Sequence, residues 1–337
     1  MRVCAFAALA AMGLTAMGAV GAKGEVRVEK VLYFGQPNCY KLTNGTVEVI
    51  VTTDIGPRVI RYGFVGKPNV FAEMPDDAVT TEWGTWKPYG GHRFWHAPEV
   101  MPRSYYPDND PIEFEVLDGG IRLIQPVEPR TGMQKEMVVS LDPAGTGVTV
   151  KHRLTNKGVW PVEAAAWALT IVAGGGTTII PQEKFISHDE HVLPARPMVL
   201  WHYTDLTDPR WSLGKKYLRL RTEESLNFAQ KIGVANKQGW MAYLNGKTLF
   251  VKRFPWIAEA KYPDEGCNCE TFTKGTFMEV ETVGPLMAMR VGDTIEHVER
   301  WYLFDGVDAG ATEATLDAAI TPLIAKAPPS QAEEPVP

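Results

Sequence analysis

Ten residues between Gly90 and Glu99, with the sequence GGHRFWHAPE, concentrate side chains that could do chemistry. His92 and His96 are four residues apart, the spacing of the histidine pair in helical zinc-protease motifs. Arg93 stands where those motifs have a glutamate, and the flanking glycines and proline limit any helix. The zinc interpretation therefore competes with two others, in which the segment is a folded loop. Its histidines are then either hydrogen-bonded within the protein or in contact with a carbohydrate.

The same segment has the composition of a sugar site. A sugar presents hydroxyl groups at its edges and apolar C–H faces, so arginine, histidine and carboxylate side chains beside tryptophan suit it. This composition is what favours carbohydrate contact or acid–base chemistry over a metal.

A second motif, YPDNDP at Tyr106–Pro111, places Asp108 and Asp110 at a spacing found in calcium loops. It lacks the glycine and the final glutamate of an EF-hand, so only a looser calcium site fits. The alternative is a turn in which Asp and Asn side chains bond to their own backbone.

A third motif supplies carboxylates. In FMEVETVGP, Glu279 and Glu281 lie on one face of a predicted strand, because successive strand residues point to opposite faces. This face is either solvated or turned into a cleft, where burial would tune the pKa of a carboxylate for proton transfer.

The elements that must position these side chains are almost all strands. Short β-branched runs separated by glycine, proline and asparagine predict one large antiparallel β-sandwich, or two smaller ones. Asp118–Gly120 (DGG) predicts a hairpin, and Ala311–Ala327 is the one helical pattern. Pro68–Pro111 and Pro181–Trp211 resist strand assignment and are expected to be long loops. The predicted strands are Thr46–Thr53, Arg58–Val65, Ile112–Leu117, Ile121–Val127, Gln134–Leu141, Gly147–Asn156, Val162–Val172, Leu249–Trp256, Thr276–Gly284 and Thr294–Phe304.

The N-terminus has the pattern of a secretory signal peptide. Arg2 precedes the apolar run Ala5–Val20, and small residues before Lys23 suit cleavage there. Residues 1–22 are thus a predicted signal peptide, 23–310 the sandwich domain, 311–327 a C-terminal helix and 328–337 a disordered Pro-rich tail. The mature chain is expected to be secreted or periplasmic, with no membrane span.

Charge and cysteines set further limits. The 337-residue chain has a formal net charge of -6 and a pI near 5.7, so no basic surface predicts a nucleic-acid partner. Three cysteines follow the signal, and in an oxidising compartment a disulfide from Cys39 to Cys267 or Cys269 is plausible.

Five segments occur in order between Val31 and Phe304: LTNGTVEVIVTTDIGPRVIRYGF, WKPYGGHRFWHAPE…YYPDNDP, LTNKGVWPVEAAAWALTIV…IIP, NCETFTKGTFMEVETVGPL and HVERWYL. Together they resemble the galactose mutarotase-like superfamily, and most closely an uncharacterised domain family of secreted bacterial proteins. The resemblance implies an all-β fold, a large antiparallel β-supersandwich with a short C-terminal helix.

The resemblance also implies roles for particular residues. Aldose 1-epimerases of this superfamily use a glutamate base on the anomeric hydroxyl and a histidine acid on the ring oxygen. The segment ETVGP, which begins at Glu281, resembles the strand that carries the glutamate. The family histidine follows a proline by six residues, and counting from Pro161 gives Trp167, which cannot deliver a proton. His92 or His96 is the expected substitute.

We therefore expect a secreted carbohydrate-binding or carbohydrate-active protein whose partner is a mono-, oligo- or polysaccharide. No cofactor is expected, apart from the alternative of calcium near Asp108 and Asp110. An enzyme would be an aldose 1-epimerase-like isomerase, or a glycan hydrolase or lyase in which Glu99 or Asp108 opposes Glu281. A non-catalytic glycan-binding module is the second class, and a structural envelope protein is the third. The predicted catalytic residues are Glu281, His92 and His96, and the predicted sugar-binding residues are Trp86, Arg93, Trp95, Glu99, Tyr106, Asp108, Asp110 and Trp167.

Overall fold

The three-dimensional structure is a computed structural model that describes residues 24–329. The predicted signal peptide and residues 330–337 of the predicted tail lie outside the described residues. Strands make up most of the regular structure, with a 3-10 turn at Arg103–Tyr105, a one-turn segment α1 at Pro263–Gly266 and a helix α2 at Glu313–Ile324. The strands are β1 (Arg27–Tyr33), β2 (Gln36–Thr43), β3 (Val47–Thr52), β4 (Arg58–Phe64), β5 (Glu73–Met74), β6 (Val79–Thr81), β7 (Gly84–Trp86), β8 (Tyr89–Ala97), β9 (Glu113–Leu117), β10 (Gly120–Ile124), β11 (Met133–Leu141), β12 (Val148–Asn156), β13 (Val162–Ala173), β14 (Thr177–Pro181), β15 (Met198–Leu200), β16 (Trp211–Leu213), β17 (Tyr217–Arg221), β18 (Gln230–Val234), β19 (Trp240–Asn245), β20 (Thr248–Arg253), β21 (Cys269–Lys274), β22 (Phe277–Val283), β23 (Met287–Met289) and β24 (Thr294–Phe304).

Two large antiparallel sheets pack face to face, which confirms the predicted all-β supersandwich. The first sheet has the order β1-β2-β3-β4-β8-β13-β22-β21-β18-β15, with β5 and β23 pairing at its side. The second has the order β16-β17-β14-β19-β20-β24-β12-β11-β10-β9. The hairpin at Asp118–Gly120 is confirmed, because β9 and β10 pair across it. The ten predicted strands and the C-terminal helix all have counterparts, with ends shifted by a few residues.

Most of the GGHRFWHAPE segment forms strand β8, which corrects the expectation of a loop. All nine residues of β8 are buried, and it pairs with β13 from Gly91↔Ile171 to Ala97↔Ala165. Gly91 has a φ of 65°, and a Cβ there would lie 2.3 Å from the carbonyl oxygen of Val59. Only glycine, which has no Cβ, allows this close approach to the carbonyl of Val59. A strand buried on both faces also shows no polar–apolar alternation, which is why the pattern did not reveal it.

The two faces of the first sheet have different roles. On β13, Ala166 and Val172 join the large core shared with the second sheet. Trp167 and Leu169 point the other way, into a separate cluster. We call the face towards the second sheet the inner face and the opposite one the outer face. Alternation along each strand then assigns every side chain of the central strands to one of them.

Helix α2 covers the second sheet. Leu316, Ile320 and Ile324 pack into the apolar cluster beneath it. The helix begins with a capping box, in which the Thr312 hydroxyl accepts from the Thr315 backbone N–H and the Thr315 side chain accepts from the Thr312 N–H.

The disulfide suggested by the sequence is not formed: Cys39, Cys267 and Cys269 are free and buried. Cys39 is on β2 and Cys269 on β21, six strand positions apart in the first sheet. At about 4.8 Å per strand, they are separated by roughly 29 Å, far beyond the reach of a disulfide.

Candidate functional site

Charged side chains form a row across the outer face of the first sheet. Arg93, Leu169, Glu281 and Glu270 are direct partners on the adjacent strands β8, β13, β22 and β21. Arg58, on β4, is the partner of Arg93 on its other side. Neighbouring strands are about 4.8 Å apart, so this register alone brings an arginine and two carboxylates within one ligand-sized area.

Two of these carboxylates share one buried ammonium. Lys231 Nζ donates to Glu281 Oε2 at 3.0 Å and lies 2.7 Å from Glu270 Oε2. Trp167 Nε1 also donates to Glu281 Oε2, at 3.0 Å. The ammonium lies over the rings of Trp167 (5.0 Å) and Trp201 (4.7 Å). Glu270 and Glu281 are both fully buried.

The surroundings shift the pKa values of this triad. Burial raises the pKa of Glu281, an effect that the ammonium of Lys231 opposes. Burial raises the pKa of Glu270 further, well above its ordinary value. Burial alone would lower the pKa of Lys231, but the two carboxylates raise it well above its usual range. Lys231 is therefore a firmly held cation.

Arg93 is the second centre of the outer face. Its Nη2 donates to Glu279 Oε1 at 2.9 Å. Its guanidinium stacks over the rings of Trp95 (4.6 Å) and Trp86 (5.2 Å), and Trp95 in turn packs edge-on against Trp167. Stacking uses the face of a guanidinium and leaves its N–H edges free.

Several polar atoms of this face are buried with no hydrogen-bond partner. They include Nε and Nη1 of Arg93, Nε and Nη1 of Arg58, Nε1 of Trp86, Oε1 of Glu281 and Oε1 of Glu270. Buried polar groups in native proteins are nearly always bonded, so such a concentration calls for an explanation, and a ligand is one.

Two tyrosines mark the exposed side of the site. Tyr203, from the segment before β16, packs against Phe272, and 46% of its surface is exposed. Burial of part of its ring raises its pKa, and Lys231, Glu281 and Glu279 also act on it, so they lie nearby. Tyr105 packs on Trp86 and Trp95, and its hydroxyl donates to Glu99 at 2.6 Å.

The predicted histidines do not lie in this site. His92 and His96 alternate with Arg93 and Trp95 on β8 and point to the inner face. His92 contacts Trp301 of the second sheet, with ring centroids 4.7 Å apart. Neither histidine can therefore form the expected acid–base pair with Glu281, because the sheet itself separates them.

His92 belongs to a hydrogen-bond chain in the core. His152 Nδ1 is 2.9 Å from the carbonyl of His297, so this nitrogen donates and His152 Nε2 accepts. His92 Nε2 then donates to His152 Nε2 at 2.7 Å, and His92 Nδ1 accepts from the Thr170 hydroxyl at 2.8 Å. Burial lowers the pKa of His92 well below its usual value and that of His152 to about 3. These rings are neutral structural groups. Burial also lowers the pKa of His96 well below its usual value.

Among residues 24–329, one group of side chains has the spacing of a metal site. Ligand atoms of His92, His152 and Glu299 lie within 4.8 Å of one another in the core. Glu299 is paired with Lys252 at 3.0 Å and accepts from Trp301 Nε1 at 2.8 Å. Each of the three thus has protein partners, and the adjacent ammonium opposes a second cation.

In the loop after β8, the Asp108 and Asn109 side chains bond to distant residues, because Asn109 accepts from the Tyr89 hydroxyl and donates to the carbonyl of Thr85. Arg58 Nη2 donates to both oxygens of Asp108 at 2.9 Å, so a calcium ion there would compete with a guanidinium. Asp110 is exposed. Tyr106 packs on Trp83 rather than on the cluster of Arg93. Of the predicted sugar-binding residues, the structure thus brings together Trp86, Arg93, Trp95 and Trp167, with Glu99 at the rim and Asp108 behind Arg58.

Sequence reasoning missed Lys231 and Glu270. Each is a charged residue inside a strand whose other side chains are mostly apolar or Thr, in QKIGV (β18) and CETFTK (β21). A buried charge is rare unless it is paired, so a charge in the interior of such a run is the signal that was available.

Comparison with solved structures identifies the fold. A TPR-domain containing protein from Parabacteroides distasonis matches 82% of this chain, with a TM-score of 0.54 and 14% identity. The chain spans about half of that protein, 49% of its length. A "putative mutarotase" from Salmonella typhimurium matches 83% of the chain and 94% of its own length (TM-score 0.52, 9% identity). A "putative aldose 1-epimerase" from Klebsiella pneumoniae matches 90% and 87% (TM-score 0.51, 12% identity). The chain has the galactose mutarotase-like fold.

Sequence comparison adds nothing to this assignment. No family model matches the chain, and a search of curated proteins finds no match. The resemblance to a family of secreted bacterial proteins thus stays a prediction.

Two clefts of this mutarotase-like sandwich share no lining residue with the outer-face cluster. The first is lined by Pro181, Gln182, Glu183, Arg196, Pro197, Met198, Leu213, Gly214, Leu218, Val234 and Ala235. The second is lined by Asn69, Phe71, Ala72, Glu73, Met74, Pro75, Asp76, Asp77, Ala173, Gly174, Thr276 and Phe277.

Proposed function

We propose that this chain binds a sugar on the outer face of its first sheet. The observation that carries the proposal is the set of buried, unpartnered polar atoms beside three tryptophans, Trp86, Trp95 and Trp167, that pack against one another. Arg93 and Trp86 offer N–H donors, and Glu281 offers the acceptor Oε1. A sugar hydroxyl is both donor and acceptor, so one ring can satisfy both kinds of atom.

The energetics support a ligand at this position. A buried polar group left without a partner costs about 1–3 kcal/mol. Tryptophan rings supply flat apolar area for the C–H faces of a sugar. The names of the structural neighbours, a mutarotase and an aldose 1-epimerase, fit sugar recognition on this fold. The Glu281 carboxylate is fully buried, so a sugar reaches it only after the side chains that cover it move aside.

Binding is favoured over the hydrolase or lyase alternative. That alternative needs a second carboxylate opposite Glu281. Asp108 is held by Arg58, and Glu99 is exposed and accepts from Tyr105. Each of these two carboxylates already has a partner within the protein.

We also propose that the protein works outside the cytoplasm, on the pattern of residues 1–22. In the part of the chain that the structure describes, no helix has the length and apolar character of a membrane span.

Calorimetric titration of the purified protein with a panel of neutral, amino and acidic mono- and oligosaccharides tests the proposal. We expect saturable binding of at least one sugar. Arg93→Lys keeps the charge but loses the N–H fork, and we expect affinity to fall at least about tenfold. Arg290→Lys, at a side chain that is 85% exposed, is the matched control and should leave affinity unchanged. No binding across the panel, or equal affinity in Arg93→Lys, would reject the site.

A further inference from the structure

The charges around Lys231 do not balance. Glu270 and Glu281 are direct cross-strand partners, and both side chains are fully buried. The ammonium of Lys231 lies 2.7 Å from Glu270 Oε2 and 3.0 Å from Glu281 Oε2. Two carboxylates and one ammonium leave one negative charge. A buried, uncompensated charge is so costly that the pair should hold one proton when no ligand is bound.

The neighbouring charges increase this negative excess. Besides Lys231, the charges that act most strongly on Glu281 are Glu279 and Arg93, which pair with each other at 2.9 Å. Glu270 also lies in the negative field of Asp264, on α1, and its burial raises its pKa well above the ordinary value. The proton is therefore expected on Glu270. A cation is attracted to this end of the site, and an acidic sugar is repelled.

The way in which the site holds one ammonium group indicates how it can hold another. The ammonium of Lys231 contacts two carboxylate oxygens and lies over the rings of Trp167 and Trp201. Carboxylates and aromatic faces are the groups that recognise ammonium ligands in proteins. Oε1 of Glu270 is buried and has no hydrogen-bond partner. This oxygen can accept from a second ammonium group, while Glu281 Oε1 remains for a hydroxyl group.

We propose that the sugar bound at this site is an amino sugar, an aldose with a protonated primary amine, and that its ammonium group donates to Glu270 Oε1. The inference rests on the proposed sugar binding and narrows its ligand class. Binding exchanges one positive charge for another, because the ammonium enters and the carboxyl group of Glu270 releases its proton to the solvent. No covalent bond of the sugar changes. A neutral sugar would leave the proton in place.

Calorimetry of the wild type at about pH 6, where a sugar amine is protonated, tests the ligand class. D-glucosamine, D-galactosamine and 6-amino-6-deoxy-D-glucose are each compared with the parent sugar, D-glucose or D-galactose. We expect at least one amino sugar to bind at least about tenfold more tightly than its parent. Titrations in buffers of different ionisation enthalpy should show about one proton released per amino sugar bound and none for the parent.

Glu270→Gln tests the residue, because it has nearly the shape of the protonated acid and cannot ionise. We expect it to lose the tenfold preference and the proton release, while the parent sugar binds as it does to the wild type. Glu296→Gln, at an ion pair in which Glu296 is 42% exposed, is the matched control and should keep both. The proton count in the wild type decides the question even if Glu270→Gln does not fold.

Three results would overturn the amino-sugar inference and leave sugar binding intact. They are equal or weaker wild-type affinity for every amino sugar relative to its parent, binding of the preferred amino sugar without proton release, and a preference that persists in Glu270→Gln. If no sugar of any class binds, the proposed function itself fails.

Discussion

Replacing Lys231 by Met measures how many protons the buried site holds. The ammonium contacts Glu281 at 3.0 Å and Glu270 at 2.7 Å, and all three side chains are buried. With the ammonium present, we expect one of the two carboxyl groups to be protonated. Without it, neither carboxylate has a cationic partner at contact distance, and both should hold protons in the folded state.

The magnitude follows from proton linkage. A carboxyl group that is protonated when folded and ionised when unfolded contributes stability that is present at low pH and lost as pH rises above about 4.5. Each such proton lowers the free energy of unfolding by about 1.4 kcal/mol per pH unit. Lys231→Met adds one proton, so the stability gap to the wild type should widen by about 2.7 kcal/mol between about pH 5 and pH 7.

Urea unfolding of the wild type and Lys231→Met at three pH values between these limits gives the slopes. The core histidines are common to both proteins, so their titration cancels in the difference. Lys41→Met is the control, because Lys41 pairs with the half-exposed Glu29 at the surface. Its pH dependence should match the wild type. Parallel curves for Lys231→Met and wild type would refute the one-proton assignment.

Two further predictions concern the strands that hold the site. Gly91→Ala should lower the free energy of unfolding in urea by about 3 kcal/mol, because it combines a left-handed backbone with a clash against Val59. Gly66→Ala is the control, since its φ is also positive but no atom lies within 4 Å; it should cost only about 1–2 kcal/mol. Equal losses in the two variants would contradict the register of β8. Burial lowers the pKa of His297 to about 3, so its contribution to stability is present above about pH 6.5 and lost as pH falls. The difference in unfolding free energy between wild type and His297→Gln should therefore shrink by about 1.4 kcal/mol per pH unit as the pH falls from about 6 to about 4. The exposed variant His202→Gln should follow the wild type. An unchanged difference for His297→Gln would show that His297 is not buried as a neutral ring.

Regular alternation is the part of the fold that could be predicted. Strands with one polar face, such as Met133–Leu141, alternate buried and half-buried residues and are readable from composition. The same rule placed Glu279 and Glu281 on one face. It failed for β8, where both faces are buried and two glycines replace the usual branched residues.

The site was harder to predict because its side chains come from strands that are distant in the chain. Counting along the sequence put Trp167 at the histidine position of the related enzymes, and the structure shows its indole bonded to Glu281. No local pattern connects Lys231 to Glu270 and Glu281, which meet only through sheet register. The spacing of His92 and His96 was misleading for another reason. Residues i and i+4 share a face of a strand as well as of a helix, so this spacing does not distinguish the two.

A crystal structure of the protein with the best sugar from the binding panel tests the central claim most directly. We predict a sugar on the outer face of the first sheet, in contact with Arg93 and Trp86 and with a hydroxyl group bonded to Glu281 Oε1. A sugar in the cleft between Asp77 and Thr276, with the outer-face cluster still closed, would contradict the account.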